Sequence, residues 1–313
     1  MTTTVETWQH RDIITNGIRM HYVIQEPPGE VGETQNAPLI VLLHGFPEFW
    51  YSWRYQIPFL AELGYTVVAP DLRGYNETDK PRTAAGYRVS NLLRDIVGLI
   101  KGLGREKAII VGHDWGGALA WAFAMRYPQM TEQLIVLNAP HPWAFQRELK
   151  TVKQLRKSWY IFFFQLPWLP EAALSYNHAE AIGRMIYAAA VQKVAFPPDV
   201  LDNYRAAMSK PGALTAAINY YRETFRRGSY VTPGAGSSRG GRQQTLISAP
   251  TLLIWGEQDI ALDIALTQGL EQWVPNIQVR RIPDSGHWVQ QERPDAVNDF
   301  IKEFLQSTCH PTA

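Results

Sequence analysis

Along the chain, apolar runs recur with little polar interruption: PLIVLL (38–43), YTVVAP (65–70), AIIV (108–111), EQLIVLNAP (132–140) and TLLIWG (251–256). Central parallel strands look like this when helices cover both faces of a sheet. Between the runs the period changes. Val89 to Leu103 carries apolar positions at helical spacing and stops at Gly104, and ALAWAFAMRYP (118–128) reads as an amphipathic helix. Near the N-terminus DIITNGIRMHYVIQ (12–25) reads as two strands joined at Asn16-Gly17, a dipeptide that tolerates the positive φ of a tight hairpin. Near the C-terminus DIALTQGLEQWV (263–274) reads as a helical stretch, IQVRRIP (277–283) as a strand and DAVNDFIKEFL (295–305) as the last helix. Strands alternating with helices predict an α/β fold, a mainly parallel doubly wound sheet with its site at the strand C-termini.

That rhythm stops between about Trp143 and Ser229, where the sequence is aromatic, mostly helical in pattern, and broken at Pro167, Pro170, Pro197, Pro198 and Pro211. A Gly/Ser-rich stretch, residues 228–244, follows and reads as a loop returning the chain to the sheet. The expected organisation is therefore a core of residues 1–142 and 245–313 with a helical cap, 143–244, inserted in it.

The most informative stretch is VGHDWGGAL, residues 111–119, which closes one apolar run and opens a helix. Gly112, Gly116 and Gly117 stand where strand and helix must pack closely, and the residue lifted to the apex is Asp114. This is the G-x-nucleophile-x-G elbow of the α/β-hydrolase fold with aspartate in place of serine. The structural alternative is a helix N-cap aspartate. A carboxylate with a reference pKa of about 3.9 is ionised at neutral pH and needs no base to attack. On an acyl carbon it would form an anhydride with little gain, whereas on a saturated carbon bearing a leaving group it forms an ordinary ester. Epoxides and alkyl halides are the substrates this predicts.

Composition narrows the partners. With 313 residues, 46% hydrophobic, the chain can bury a large core. A formal charge of +1, from 30 basic and 29 acidic residues without long runs, argues against nucleic acid or an anionic membrane as principal partner. The single cysteine, Cys309, leaves no intramolecular disulfide or thiolate metal cluster, which fits a reducing compartment. MTTTVETWQHRD lacks the apolar core of a signal peptide, so a cytoplasmic location is expected. SWYIFFFQLPWLP (158–170) is too short to span a bilayer and is broken by proline, so no stable membrane insertion is expected. It could lie on a membrane surface, though it reads as lacking the flanking cationic face of such segments.

A family resemblance enters with HGFPEFWYSW, residues 44–53. HG-x-P directly after a central strand is similar to the oxyanion-loop motif of the epoxide hydrolases and their dehalogenase relatives. Such a loop can point the backbone N–H of Phe46 toward the elbow apex, where that of Trp115 also points. Pro47 stiffens it, and in the family the bond before this proline is often cis. His44 reads as structural, beneath the loop. DLRGY resembles the family again, with Asp71 and Arg73 read as loop ties. Asp114, Asp259 and His287 follow the chain order of nucleophile, acid and base in α/β hydrolases. His287, in SGHW after the final strand, is the expected base. Asp259 is the expected acid, with Asp263 and Glu257 as rivals, while Glu292 and Asp284 read as loop or helix-end groups. Tyr160 in SWYIFFFQLP matches the first cap tyrosine of the epoxide hydrolases. In NYYR (219–222) Tyr221 matches the second, with Tyr220 as its rival. Two phenols suit epoxide opening, because the developing alkoxide needs donors; the alternative is that they are packing residues.

The resemblance thus implies a cofactor-independent epoxide hydrolase whose small-molecule substrate and water meet at Asp114, with no metal. Trp159, Phe164 and Trp288 are expected to contact substrate, and the cap aromatics, Phe162 and Trp168 among them, suggest a pocket for an apolar aryl or alkyl group. The rival readings are a haloalkane dehalogenase using the Trp115 N–H on halide, and a non-catalytic ligand-binding protein on the same fold. Fluoroacetate dehalogenases resemble the chain in HGFP and the aspartate elbow, but carry arginines where Trp115 and Ala118 stand here.

Overall fold

In the computed structural model residues 8–29, 36–226 and 246–309 are described. Eight strands form one sheet: β1 Gln9–Thr15, β2 Ile18–Gln25, β3 Leu39–Leu43, β4 Thr66–Pro70, β5 Ala108–His113, β6 Thr131–Leu137, β7 Thr251–Gly256 and β8 Ile277–Ile282. Their order is β1-β2-β4-β3-β5-β6-β7-β8. The first two pairings, β1 with β2 and β2 with β4, are antiparallel, and all later ones are parallel. This is the α/β-hydrolase fold, as its residue pattern predicts. Every residue of β3, β4, β5 and β7 is buried, which accounts for runs without alternation. The edges differ: β1 is mostly exposed, and β8 buries only Ile282 and exposes Gln278, Arg280 and Arg281.

Asn16 and Gly17 both have positive φ, 45° and 77°, as a two-residue hairpin turn requires. The helix Val89–Gly102 buries Leu92, Leu93, Ile96, Leu99 and Ile100 along one side. Two expectations for helices need correction. The helix after the elbow, Asp114–Arg126, is buried from Trp115 through Met125, so it is apolar all round rather than amphipathic. DIALTQGLEQWV forms only a short 3-10 turn, Ile264–Thr267, because Gly269 takes φ 65° and turns the chain away.

Between β6 and β7 the described chain is helical: Pro142–Glu148, Val152–Lys157, Trp159–Phe163, Leu169–Ala189, Pro198–Ser209 and Ala213–Arg226. The Gly/Ser-rich stretch expected at 228–244 lies outside the described residues. Among the described residues no helix is long and apolar enough to cross a membrane. Because β3 and β5 to β8 run parallel, the segments that leave their C-termini gather at one edge of the sheet. Phe46, Asp114, Asn138, Asp259 and His287 are on those segments.

Candidate active site

The elbow is built by backbone contact. A Cβ on Gly116 would lie 2.0 Å from the carbonyl oxygen of Leu43, so only glycine lets the helix start against β3. On the opposite loop a Cβ on Gly45 would lie 2.5 Å from that of Asp114, which is how closely the HGFP loop approaches the apex. Asp114 itself is held at φ 49°, a left-handed conformation that costs a non-glycine residue about 1–3 kcal/mol. The fold bears that strain at the one residue it lifts into the site. The Phe46–Pro47 bond is cis, and the Phe46 N–H donates to Asp114 Oδ1 at 2.8 Å. Trp115 follows on the first turn of the helix, where backbone N–H groups have no intrahelical partner.

His287 lies between two carboxylates. Its Nδ1 is 2.7 Å from Asp259 Oδ2, and its Nε2 is 3.6 Å from Asp114 Oδ2, a charge contact rather than a hydrogen bond. Asp259 is fixed by further donors: the backbone N–H groups of Ala261 and Leu262 at 2.7 and 2.9 Å, and Asn138 Nδ2 at 2.8 Å. Asn138 is set in turn by the Gly256 N–H, which donates to its Oδ1. Burial alone would lower the His287 pKa, but Asp259 and Asp114 outweigh it and hold it well above its usual value. Burial pushes the two aspartates the other way, and His287 with the N–H donors overcomes it, so both carboxyls are held below their ordinary range. The two flanking carboxylates thus favour the charged form of the imidazole, and it favours theirs. Of the rivals to Asp259, Asp263 caps the turn at Ile264 and pairs with Lys153, away from His287.

The loop readings are matched by contacts. His44 accepts the Leu72 N–H beneath the loop. Asp71 accepts the Trp50 N–H and the Asn76 amide, and Arg73 pairs with Asp95 at 2.6 Å.

A cavity of about 30 Å³ opens onto Asp114 and is lined by Trp115, Tyr160 and Tyr221, with apolar walls that include Phe145, Ile161 and Leu262. The two tyrosine rings stand edge to face at 5.9 Å, and Tyr221 meets Trp115 at 4.9 Å. Burial raises the Tyr221 phenol well above its ordinary pKa, and Asp114 adds to this. Tyr220 faces away, donating its O–H to the Arg73 carbonyl. Adjacent helical residues point about 100° apart, so only one of the pair reaches the cavity.

None of the three residues expected to contact substrate is among the lining of this cavity. Trp159 is exposed: with Tyr160 and Ile161 turned inward, helical phase turns Trp159 and Phe162 to solvent. Phe164 is buried behind the cavity, edge-on to Tyr221 and Phe46. Trp288 packs on the His287 and His113 rings and donates its indole N–H to the Ile186 carbonyl. The walls are instead Ala118, Pro140, Phe145, Ile161, Phe225 and Leu262.

Sequence reading also missed what lies beneath the base. His113 Nδ1 is 2.8 Å from Glu48 Oε2 and its Nε2 is 2.8 Å from the His287 carbonyl. The Gln290 and Gln291 amides donate to Glu48 Oε1. Burial opposes ionisation of Glu48, yet His113 and the Gly45 N–H hold its carboxyl below the usual value. Glu48 and His113 sit inside the HGFPE and GHDWG stretches, but nothing in the string pairs them.

Comparison with known proteins agrees with this geometry. The alpha/beta hydrolase fold family matches residues 38–294. Epoxide hydrolase 3 of Xenopus tropicalis is 42% identical over 297 residues, 93% of this chain and 76% of that protein. The AB hydrolase superfamily protein YfhM of Bacillus subtilis is 40% identical over 298 residues, 94% of this chain and 96% of that protein. The crystal structure of a Bacillus megaterium epoxide hydrolase in complex with an inhibitor superposes with a TM-score of 0.82 at 32% identity, covering 95% of this chain and 100% of that one.

Proposed function

Since this chain belongs to the epoxide hydrolase family of the α/β-hydrolase fold, we propose that it converts an epoxide to a vicinal diol through an ester on Asp114. A carboxylate oxygen of Asp114 attacks a ring carbon and the carbon–oxygen bond breaks. The alkoxide that develops takes a proton from Tyr221 or Tyr160. The ester leaves Asp114 uncharged, so His287 loses one of the two anions that raise its pKa and becomes able to give up its proton, which restores the phenol that donated to the alkoxide. Oriented and charge-balanced by Asp259, neutral His287 then takes a proton from water, whose oxygen attacks the ester carbonyl carbon. The Phe46 N–H, already aimed at the carboxylate, and the Trp115 N–H hold the oxyanion. Collapse expels the glycol oxygen as an alkoxide, which takes the proton from His287 to give the diol, and the proton left on the new Asp114 carboxyl passes to His287, restoring the carboxylate.

The observation that carries this reading is that Tyr160 and Tyr221 share one small cavity with Asp114. A halide departs without a proton, so a haloalkane dehalogenase gives the two phenols no task. The test is His287→Gln, which leaves alkylation possible and stops hydrolysis. Intact-mass spectrometry after incubation with styrene oxide should show the protein heavier by one substrate equivalent. An unmodified mass, under conditions where the epoxide protects the protein thermally, rules out the covalent route.

A further inference from the structure

The segment from Thr151 to Leu166 runs as two short, nearly continuous helices, and its outward side is apolar. Val152, Leu155, Trp159, Phe162 and Leu166 follow one another at spacings of three or four residues, the period of one helical face. All five are exposed, Val152 at 65%, Trp159 at 64% and Phe162 at 58%, and Trp168, at 74%, continues the stripe. The inward side is already filled, by Gln154, Ser158, Ile161 and Phe164. A stripe that faces water while the opposite side faces the core is not folding surface left over; contiguous exposed apolar faces of this kind mark a binding surface.

The charges beside the stripe select its occupant. Lys150 and Arg156 are exposed and form no ion pair among the described residues, while Lys153, 70% exposed, pairs with Asp263 and so lies at the same margin. The nearest acid on the preceding helix, Glu148, is taken by Arg147, and Glu171 beyond the stripe is taken by Arg222. The cationic flank absent from the sequence reading is therefore present, with Arg156 one turn before Trp159 and Lys150 just ahead of the helix that begins at Val152. Tryptophan and phenylalanine on the apolar side with lysine and arginine beside them are the composition of a helix that lies in a lipid interface, where long cationic side chains reach the headgroups. The core of an interface with a second protein is instead depleted of lysine.

We propose that this stripe docks the protein peripherally on an anionic phospholipid surface, the aromatic side chains entering the headgroup boundary and Lys150 and Arg156 meeting lipid phosphates. The same short helix presents Tyr160 and Ile161 to the cavity, so docking sets the site beside the phase in which apolar small molecules concentrate.

The test is co-sedimentation of the full chain with vesicles of phosphatidylcholine alone and of phosphatidylcholine with phosphatidylglycerol. Binding is expected to the second kind, to weaken several-fold when salt is raised from 0.1 to 1 M as the screening length falls from about 10 to about 3 Å. The double variant Trp159→Ser, Phe162→Ser should lower partitioning at least about tenfold, because it removes two side chains that would leave water. Lys150→Glu with Arg156→Glu should lower it on the anionic vesicles only. All these residues are exposed, and unchanged circular dichroism checks that the variants fold. Absence of pelleting with either vesicle, equal binding to both kinds, or binding that survives the aromatic variant overturns the proposal. Sedimentation of the parent as a dimer that the aromatic variant makes monomeric also overturns it, by assigning the stripe to a second copy.

Discussion

Glu292 offers a sharp test of how the site is held. Its Oε2 accepts the N–H groups of Val191 and Gln192 at 2.9 Å each and of Gly286 at 3.2 Å, while its Oε1 accepts that of Trp288 at 3.3 Å. Val191 and Gln192 follow the long helix Leu169–Ala189, and Gly286 and Trp288 flank His287. One buried carboxylate therefore joins the helical segment above the site to the loop that carries the base. Glu292→Ala leaves four N–H groups without an acceptor. Hydrogen bonds to a charged group are worth about 1.5–3 kcal/mol each, and two of these are long. Because neighbouring terms do not add, the expected loss is about 3–5 kcal/mol rather than the sum of four. At about 2–4 °C per kcal/mol for a chain of this size class, the melting temperature should fall by on the order of 10 °C. Glu292→Gln keeps one oxygen for the three N–H groups at Oε2 but makes those bonds neutral and turns an NH2 toward the Trp288 N–H, so its loss should be about 2 kcal/mol, smaller than that of the alanine variant. The assay is differential scanning fluorimetry with single-turnover kinetics on styrene oxide. At temperatures where Glu292→Ala is folded, a displaced His287 should slow ester hydrolysis by about 10²-fold, with rescue by Gln and little change in the alkylation rate. If Glu292→Ala hydrolyses the ester at the parent rate, the carboxylate holds the fold without positioning the base.

Tyr221→Phe and Tyr160→Phe should each slow epoxide alkylation by about 10²-fold, on the scale of a general acid, and affect a bromoalkane much less. Pre-steady-state alkylation as fast in the double variant as in the parent would make both tyrosines packing residues. The pH dependence follows from the pKa directions. Asp114 and Asp259 are depressed in the fold, so they stabilise it above their unfolded value of about 3.9, and this is lost as pH falls through their lower folded values. His287 is raised, so its contribution is fully present below about 6.5 and is lost as pH rises through its higher folded value. Alkylation removes the Asp114 charge, so the acid limb of ester hydrolysis should lie at lower pH than the His287 titration of the free enzyme. Coincidence of the two, by single-turnover rates and by NMR of the imidazole, would contradict the proposed hand-over of the proton.

What the sequence revealed and what it concealed divide along physical lines. Gly112, Gly116 and Gly117 were legible because backbone contact admits no Cβ, so a steric demand is written directly as residue type. Asp259 was legible because it follows the apolar run of β7, and His287 because SGHW follows the last strand, and strand ends gather at one edge of a parallel sheet. That Trp159 is exposed was not legible, because composition says that this segment is aromatic but not which residue of a short helix turns inward; a rotation of one position exchanges cavity and solvent. The apolar walls at Phe145, Phe225 and Leu262 come from three distant segments with no local signature. The Glu48–His113 pair and the Glu292 cluster were hidden for a stronger reason. His113 is 65 residues from Glu48, and Val191 and Gln192 are about 100 from Glu292, to which they offer only backbone N–H groups that every residue but proline possesses.

That division bears on how the site works. The groups read from the string are those to which the proposed reaction gives chemistry that depends on what they are: a carboxylate to attack, an imidazole to carry a proton, phenols to donate one. The groups that escaped it act by where they are, fixing the His287 backbone from below through His113 and from the side through Glu292. A base that faces a carboxylate at 3.6 Å and must later face an ester in the same place has no freedom to follow its substrate. On the proposed route the change that activates it is therefore electrostatic, the loss of one neighbouring charge, with the buried network of His113 and Glu292 contacts holding the His287 backbone on either side of that step.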